Sequence, residues 1–155
     1  AFPMLPKRYS MESRMIVFQR SVQLSTEGET DIVNITETIQ QIVRESGVRT
    51  GLASISGKGS TLGITTVEYE SGILADLRRA LDQLAPPNQF YAHNARWGDE
   101  NGSAHLRSAL MGTSRSYPVT EALLRLGTWQ QIVLCDFDDR PRNREITVTV
   151  MGTAE

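Results

Sequence analysis

The chain has 155 residues and a formal net charge of −2, with 39% hydrophobic and 22% charged residues. This is the size and composition of one globular domain, and no apolar run reaches the roughly 18 residues that a membrane-spanning helix needs, so we expect no membrane partner. A slightly acidic chain has no general attraction to nucleic acid, because such binding depends on neutralising phosphates. The single cysteine, Cys135, excludes an internal disulfide, and with no signal-peptide pattern we expect a cytoplasmic protein.

The N-terminal part of the chain predicts a short tail followed by a β-hairpin. Residues 1–13 contain prolines without hydrophobic periodicity, so we expect a poorly ordered tail there and a single domain over residues 14–155. β-Forming side chains predict strands at Met15–Leu24 and Asp31–Ile35, joined by a polar turn. These two strands are expected to pair with each other.

Helices and strands follow in an order typical of an α+β domain with mostly antiparallel pairing. Thr36 suits a helix N-cap and Gly47 a helix stop, with apolar residues at helical spacing between them. A second helix is expected from a cap at Ser71 to the Pro86-Pro87 pair. The other predicted elements are strands at Gly51–Gly57, Gly63–Tyr69, Ser116–Thr120, Gln130–Phe137 and Glu145–Met151, and a short helix or irregular segment at Leu106–Leu110.

Residues 126–140 combine a glycine turn, a tryptophan and an apolar run that ends in acidic residues. The apolar run is typical of a buried strand. We expect Trp129 to be largely buried at its start, so that replacement by alanine costs about 3–5 kcal/mol. The alternative is an exposed aromatic platform at the mouth of a cavity.

The two histidines, His93 and His105, lie in or beside the longest polar loop. A histidine in such a loop can be a metal ligand, a general acid or base, or a donor to a phosphate. From spacing alone, solvated or locally hydrogen-bonded loop histidines are the commoner alternative. Their separation is not the four-residue spacing of a metal-binding helix pair.

Two segments rich in glycine and hydroxyl groups are candidate anion sites. Gly57–Thr61 is either an anion-binding loop or a glycine-rich β-turn, and it lacks the pattern of a nucleoside-triphosphatase loop. Gly112–Arg115 offers two hydroxyls and a guanidinium. Arg96 and Arg107 add positive charge near the histidines.

Two carboxylates, Asp136 and Asp138, share one face of a predicted strand. Such a pair binds a divalent ion or, more commonly, forms a solvated polar face. Cys135 points to the other face and is predicted to be a buried apolar residue, not a nucleophile.

Four segments, in chain order, resemble the YjbQ-like family, whose members are described as secondary thiamine-phosphate synthases. They are GSTLGITTVEYESG at 59–72, YAHN at 91–94, SAHLRSALMG at 103–112 and LGTWQQIVLCDFDDR at 126–140. The resemblance covers roughly residues 47–152. It implies an α+β fold of two mostly antiparallel sheets in a β-sandwich, with two main helices packed outside, and a homotrimer.

The resemblance also implies an activity, which joins hydroxymethylpyrimidine diphosphate to thiazole phosphate and releases pyrophosphate. His93, His105 and Glu68 match family positions and would form one cavity, in which they act in catalysis and hold a divalent metal, Mg²⁺ or Zn²⁺. The implied ligands of the small phosphorylated substrate are Ser60, Thr61, Arg96, Arg107, Ser114 and Arg115.

One position departs from the family pattern. The commoner members carry a third histidine at the head of an HTT segment, where this chain has Gly59. A three-histidine metal site of the kind catalytic zinc favours therefore cannot form from the usual residues. The alternative function is a non-catalytic trimeric module that binds a small anionic metabolite or a metal ion, and a third is a purely structural oligomer, favoured if no cavity joins the two histidines.

Overall fold

The computed structural model describes residues 13–155, which form two antiparallel sheets and four helices. The predicted α+β class with two sheets is confirmed. The predicted tail, apart from Ser13, lies outside the described residues. The elements are β1 (Ile16–Thr26), β2 (Asp31–Asn34), α1 (Thr36–Ser46), β3 (Thr50–Gly57), β4 (Leu62–Glu68), α2 (Ser71–Leu84), α3 (Ala92–Trp97), α4 (Gly102–Met111), β5 (Ser114–Thr120), β6 (Leu123–Leu124), β7 (Gln130–Asp136) and β8 (Arg142–Thr153).

The strands divide between a large and a small sheet. The large sheet has the order β1-β8-β3-β5-β6 and the small one β2-β7-β4. Consecutive strands β3 and β4 therefore belong to different sheets, and the loop at residues 58–61 carries the chain from one to the other. Among residues 13–155, no helix is long and apolar enough to span a membrane.

Strand β7 is apolar from Ile132 to Cys135, where both of its faces are covered. Ile132 and Leu134 point into the core between the two sheets, which α1 also closes. Val133 and Cys135 point the other way, into a second core under α2 and α4.

The predicted N-terminal hairpin is wrong. Strand β1 pairs with β8, and β2 pairs with β7 in the other sheet. The backbone of the intervening turn has positive φ at Gly28 (78°), Glu29 (52°) and Thr30 (67°), and this turn redirects the chain between the sheets. A side chain at residue 28 would collide with the carbonyl of Arg140, so the turn packs against the β7–β8 connection.

Two predicted helix caps are displaced by one residue. Thr36 is the first residue of α1, with Ile35 at its N-cap, while Gly47 ends the helix in a left-handed conformation as predicted. At α2 the cap is Glu70 and not Ser71. The Glu70 carboxylate accepts hydrogen bonds from the backbone N–H groups of Ile73 and Gly72, and these bonds lower the pKa of Glu70.

Candidate functional site

The two histidines meet where α3 and α4 pack together. The ring centroids of His93 and His105 are 4.3 Å apart with their planes tilted by 33°. Nδ1 of His93 lies 3.0 Å from a carboxylate oxygen of Asp99. The sharp reversal between the helices is fixed by Asn94, whose side-chain oxygen accepts a hydrogen bond of 2.8 Å from the backbone N–H of Gly102. The segment predicted as a polar loop, residues 88–103, therefore contains helix α3 and the start of α4, and the packing of these two helices stacks one imidazole on the other.

His105 lines an open cleft of about 340 Å³. Its other walls are the two segments predicted as anion sites, which the fold brings together. The N–H of Gly57 donates to the carbonyl of Thr113 at 2.8 Å, and the N–H of Ile64 donates to Gly112 at 3.0 Å. The residues that line the cleft are Gly59, Ser60, His105, Ser108, Ala109, Gly112 and Thr113.

Helix α4 is held firmly against this cleft. The Ser108 hydroxyl donates a 2.6 Å hydrogen bond to the carbonyl of Leu62, and a side chain at Gly63 would meet Met111. Because His105 lies one helical turn before Ser108, the same contact positions the imidazole over the loop at residues 58–61. The arrangement offers an imidazole, two hydroxyls and several backbone groups to a small ligand.

Glu68 does not join the histidines, so the prediction of one shared cavity is wrong for this chain. It lies at the opposite end of β4 from Leu62, about 20 Å away along an extended strand. There it lines a separate cleft of about 390 Å³ with Trp129 and Tyr69.

The predicted metal site of His93, His105 and Glu68 does not fit the structure either. Within residues 13–155 no three His, Cys, Asp or Glu side chains are placed to hold a metal ion. The donor set required by Zn²⁺ or by a mixed histidine and carboxylate site is absent from the described part of the chain.

The arginines predicted to bind substrate are used elsewhere in the fold. Arg107 is buried, and its three nitrogens donate to the carbonyl of Ala85, to Asp82 and to the hydroxyl of Thr30. It thereby closes the C-terminal end of α2 and does not line the cleft that contains His105.

The other two predicted arginines, Arg115 and Arg96, are exposed. Arg115 donates to the carbonyl of Met111 at 2.5 Å, and Arg96 lies over its neighbour Trp97, 5.3 Å from the ring centroid. Ser114 is exposed at the start of β5 and does not line the cleft beside its neighbour Thr113. Of the predicted substrate ligands, Ser60 alone is a wall of the cleft that contains His105.

A buried charge network lies directly beneath the loop at residues 58–61. Nε and Nη2 of Arg144 each donate a 2.7 Å hydrogen bond to the Asp136 carboxylate, and both residues are almost completely buried. Arg144 Nη2 also donates to the Thr61 hydroxyl at 2.7 Å, and that hydroxyl donates to Asp138 at 3.2 Å. Thr61 is therefore part of this network and does not line the cleft that contains His105.

The predicted solvated face at Asp136 and Asp138 is also wrong, because both carboxylates are buried. Burial alone would raise the pKa of Asp136, but the hydrogen bonds from Arg144 and Thr26 hold it below its ordinary value. Arg142 donates to Asp138 at 3.0 Å, so each carboxylate has an arginine partner.

The sequence contained a signal for this network. Arg144 falls on the same alternating face of β8 as Ile146, Val148 and Val150, all of which are buried. A charged residue in phase with a buried strand face needs a buried partner of opposite charge. The partner is Asp136, at the end of the buried run of β7, which precedes β8 in the chain and belongs to the other sheet.

Trp129 and Cys135 were both predicted to be buried, and the structure buries one of them. Trp129 is 72% exposed, so the prediction of a buried tryptophan is wrong. It projects from a tight turn in which the N–H of Gly127 donates to the side chain of Gln130, and the first fully buried residue of the following strand is Ile132. Cys135 is buried as predicted, and burial raises its pKa to about 12.

Comparison with known proteins gives matches along nearly the whole chain. A profile of the family described as UPF0047 protein YjbQ-like matches residues 20–153. A UPF0047 protein of Methanothermobacter thermautotrophicus is 36% identical over 138 residues, covering 89% of this chain and 94% of that protein. The UPF0047 protein YugU of Bacillus subtilis is 31% identical over 135 residues, covering 86% of this chain and 98% of that one.

Solved structures agree with these matches. A crystal structure of a YbjQ-like protein of unknown function from Sulfolobus solfataricus superimposes with a TM-score of 0.85 at 34% identity, and the match covers 90% of this chain and 99% of the other. A hypothetical protein from Aeropyrum pernix gives a TM-score of 0.81 at 27% identity, covering 87% and 98%.

Proposed function

Because the chain belongs to the UPF0047 YjbQ-like family, we propose that the cleft beside His105 binds the phosphate end of a small phosphorylated metabolite and supports a weak thiamine-phosphate synthase activity. One observation carries this proposal. His105, whose ring stacks on that of His93, lines a cleft together with the two segments whose glycine and hydroxyl groups suit an anion.

The proposed reaction needs stabilisation of a leaving group more than it needs a protein nucleophile. The thiazole nitrogen attacks the methylene carbon of hydroxymethylpyrimidine diphosphate with its lone pair, and a C–N bond forms. The C–O bond to the diphosphate breaks, and its electron pair leaves with pyrophosphate. Hydrogen-bond donors aimed at the departing oxygens lower the barrier of such a step.

The residues of the cleft can supply these donors. His105 donates to a diphosphate oxygen from one ring nitrogen, while the stacked His93, itself bonded to Asp99, keeps the imidazole in place. The hydroxyls of Ser60 and Thr113 are available on the facing walls. No step is assigned to a metal ion, because the described side chains do not form a site for one.

A non-catalytic binding module is the second candidate, and a specific observation favours it. Gly59, which replaces the third histidine of the commoner family members, is itself a wall of the cleft. The cleft therefore has fewer groups for proton transfer than the resemblance implies, although its anion-binding character is retained.

Turnover separates the two candidates. We expect the purified protein to form thiamine phosphate from the two substrates, and His105→Ala to reduce the rate by at least about 100-fold. Glu68→Gln is the control, because Glu68 lies at the far end of β4, and we expect a change below about twofold. If no product forms but pyrophosphate raises the melting temperature of the wild type and not of His105→Ala, the protein is a binding module.

The proposal includes assembly as a homotrimer. Val17, Met151 and Leu52 are neighbours across three strands of the large sheet and are 66%, 45% and 49% exposed. An apolar patch of this kind on a soluble domain is typical of an interface. Sedimentation equilibrium should give three times the monomer mass, and Leu52→Lys should lower that mass, whereas Ser54→Lys on the same face is a milder control. A monomer at micromolar concentration would contradict this part of the proposal.

A further inference from the structure

Arg144 is an arginine whose guanidinium is only partly used by the fold. Its side chain is 4% exposed. Nε and Nη2 bond to Asp136, and Nη2 bonds also to Thr61. Nη1 makes no hydrogen bond to any residue in the range 13–155. A buried charged side chain that keeps one donor group unused is unusual and requires an explanation.

The unused nitrogen lies beside the cleft that contains His105. A Cβ atom placed on Gly59 would be 3.1 Å from Nη1 of Arg144, and Gly59 is a wall of that cleft. Within residues 13–155, the completely buried side-chain nitrogen and oxygen atoms that lack a hydrogen-bond partner belong to Asn101, Tyr117 and Thr153. Since Nη1 is not one of them, it retains an opening to solvent.

The geometry points to Arg144 as the fixed cationic anchor of the cleft, with Nη1 donating to a phosphate oxygen that enters beside Gly59. This inference rests on the proposed function, because it assumes a phosphorylated ligand in the same cleft. It assigns the positive charge of the site to a residue other than Arg96, Arg107 or Arg115.

Three properties suit Arg144 to this task. Its guanidinium is held by two short bonds to Asp136, so little side-chain freedom remains to be lost when a ligand binds. Its surroundings are buried, which strengthens a charge-assisted hydrogen bond relative to one at an exposed arginine. The missing side chain at Gly59 leaves the approach to Nη1 open.

The neighbouring backbone adds further donors. Among the described residues, the N–H groups of Gly59 and Ser60 take part in no hydrogen bond. They flank the same opening as Nη1, and the Ser60 side chain is exposed there. Inorganic pyrophosphate, which carries the phosphate oxygens of the proposed substrate without its pyrimidine, is therefore a suitable probe.

Titration calorimetry with pyrophosphate tests the inference. Gly59→Ala places a methyl group 3.1 Å from Nη1 while Arg144 and Asp136 are both retained, so we expect binding at least about tenfold weaker. Lys58→Ala is the matched control on the same loop, because its exposed ammonium pairs with Glu145 at 3.6 Å. We expect it to weaken binding by less than about twofold. Unchanged binding by Gly59→Ala, or an equal loss in Lys58→Ala, would overturn the assignment.

A second measurement does not depend on any variant. The guanidinium ¹⁵N resonances of Arg144, assigned by through-bond experiments on the wild type, should shift when pyrophosphate binds. Binding without such a shift would overturn the role of Arg144 and leave the proposed activity standing. Conversely, binding with the shift but without formation of thiamine phosphate would overturn the proposed activity and leave the role of Arg144 standing.

Discussion

Charged side chains are buried near one end of strand β4, whereas a large aromatic side chain is exposed near the other end. Before its first residue, Thr61 joins a charge network in which Asp136 and Arg144 are buried. At the other end, the apolar ring of Trp129 is 72% exposed beside Glu68, the last residue of β4, which is also exposed. Cover by neighbouring elements decides the difference, because α4 packs over the first end, where Ser108 bonds to Leu62. Whether a side chain is buried here therefore depends on which elements pack over it. The charged side chains can be buried because each has a partner of opposite charge.

We expect the largest loss of stability when a charge of the buried network is removed. Asp136→Asn removes the charge that offsets Arg144, and we expect the free energy of unfolding to fall by about 3–5 kcal/mol, because an unpaired buried charge remains. Asp76→Asn is the matched control, since Asp76 forms an exposed ion pair of 2.8 Å with Arg79 one helical turn away. We expect the control to cost less than about 1 kcal/mol. Equal effects in urea denaturation would show that the network contributes nothing beyond a surface pair.

Asp136→Asn should also change how the stability of the protein depends on pH in acid. The folded state holds the pKa of Asp136 below its ordinary value, so the stability it contributes is complete above about pH 4 and is lost as the pH falls through the lower folded-state pKa. Urea denaturation of the wild type should therefore show a steep loss of stability below about pH 4. The profile of Asp136→Asn should be flatter in this range. Parallel profiles for the two proteins would show that other carboxylates cause the acid sensitivity.

Local patterns in the sequence predicted most of the elements, since helix spacing and β-branched runs depend on neighbouring residues. The stop at Gly47 and the strand ending at Asp136 are of this kind. The pairing of β1 was not predictable in the same way. Its partner, β8, is at the other end of the chain, and the turn at Gly28 that separates β1 from β2 resembles a hairpin turn in composition.

The candidate site was predicted in part, and the failures have a common physical cause. The family resemblance identified His93 and His105, and the structure stacks their rings. It did not reveal that Glu68 lies about 20 Å along β4 from Leu62 and lines a different cleft. The type of a residue shows what its side chain can bind, but its partners depend on contacts between distant segments. Arg107 and Arg144 show this clearly, because one is fully used at the end of α2 and the other keeps a free donor.

We expect the smallest loss of stability at the exposed end of β4. Trp129→Ala should lower the free energy of unfolding by less than about 1 kcal/mol, because an indole that is 72% exposed loses little buried area when it is truncated. Leu134→Ala, in the fully buried part of the adjoining strand, should cost about 2–5 kcal/mol in the same urea titration. An equally large loss for Trp129→Ala that disappears on dilution would mean that another subunit covers the ring. A large loss at all concentrations would contradict the exposed position of Trp129, and with it the contrast between the two ends of the strand.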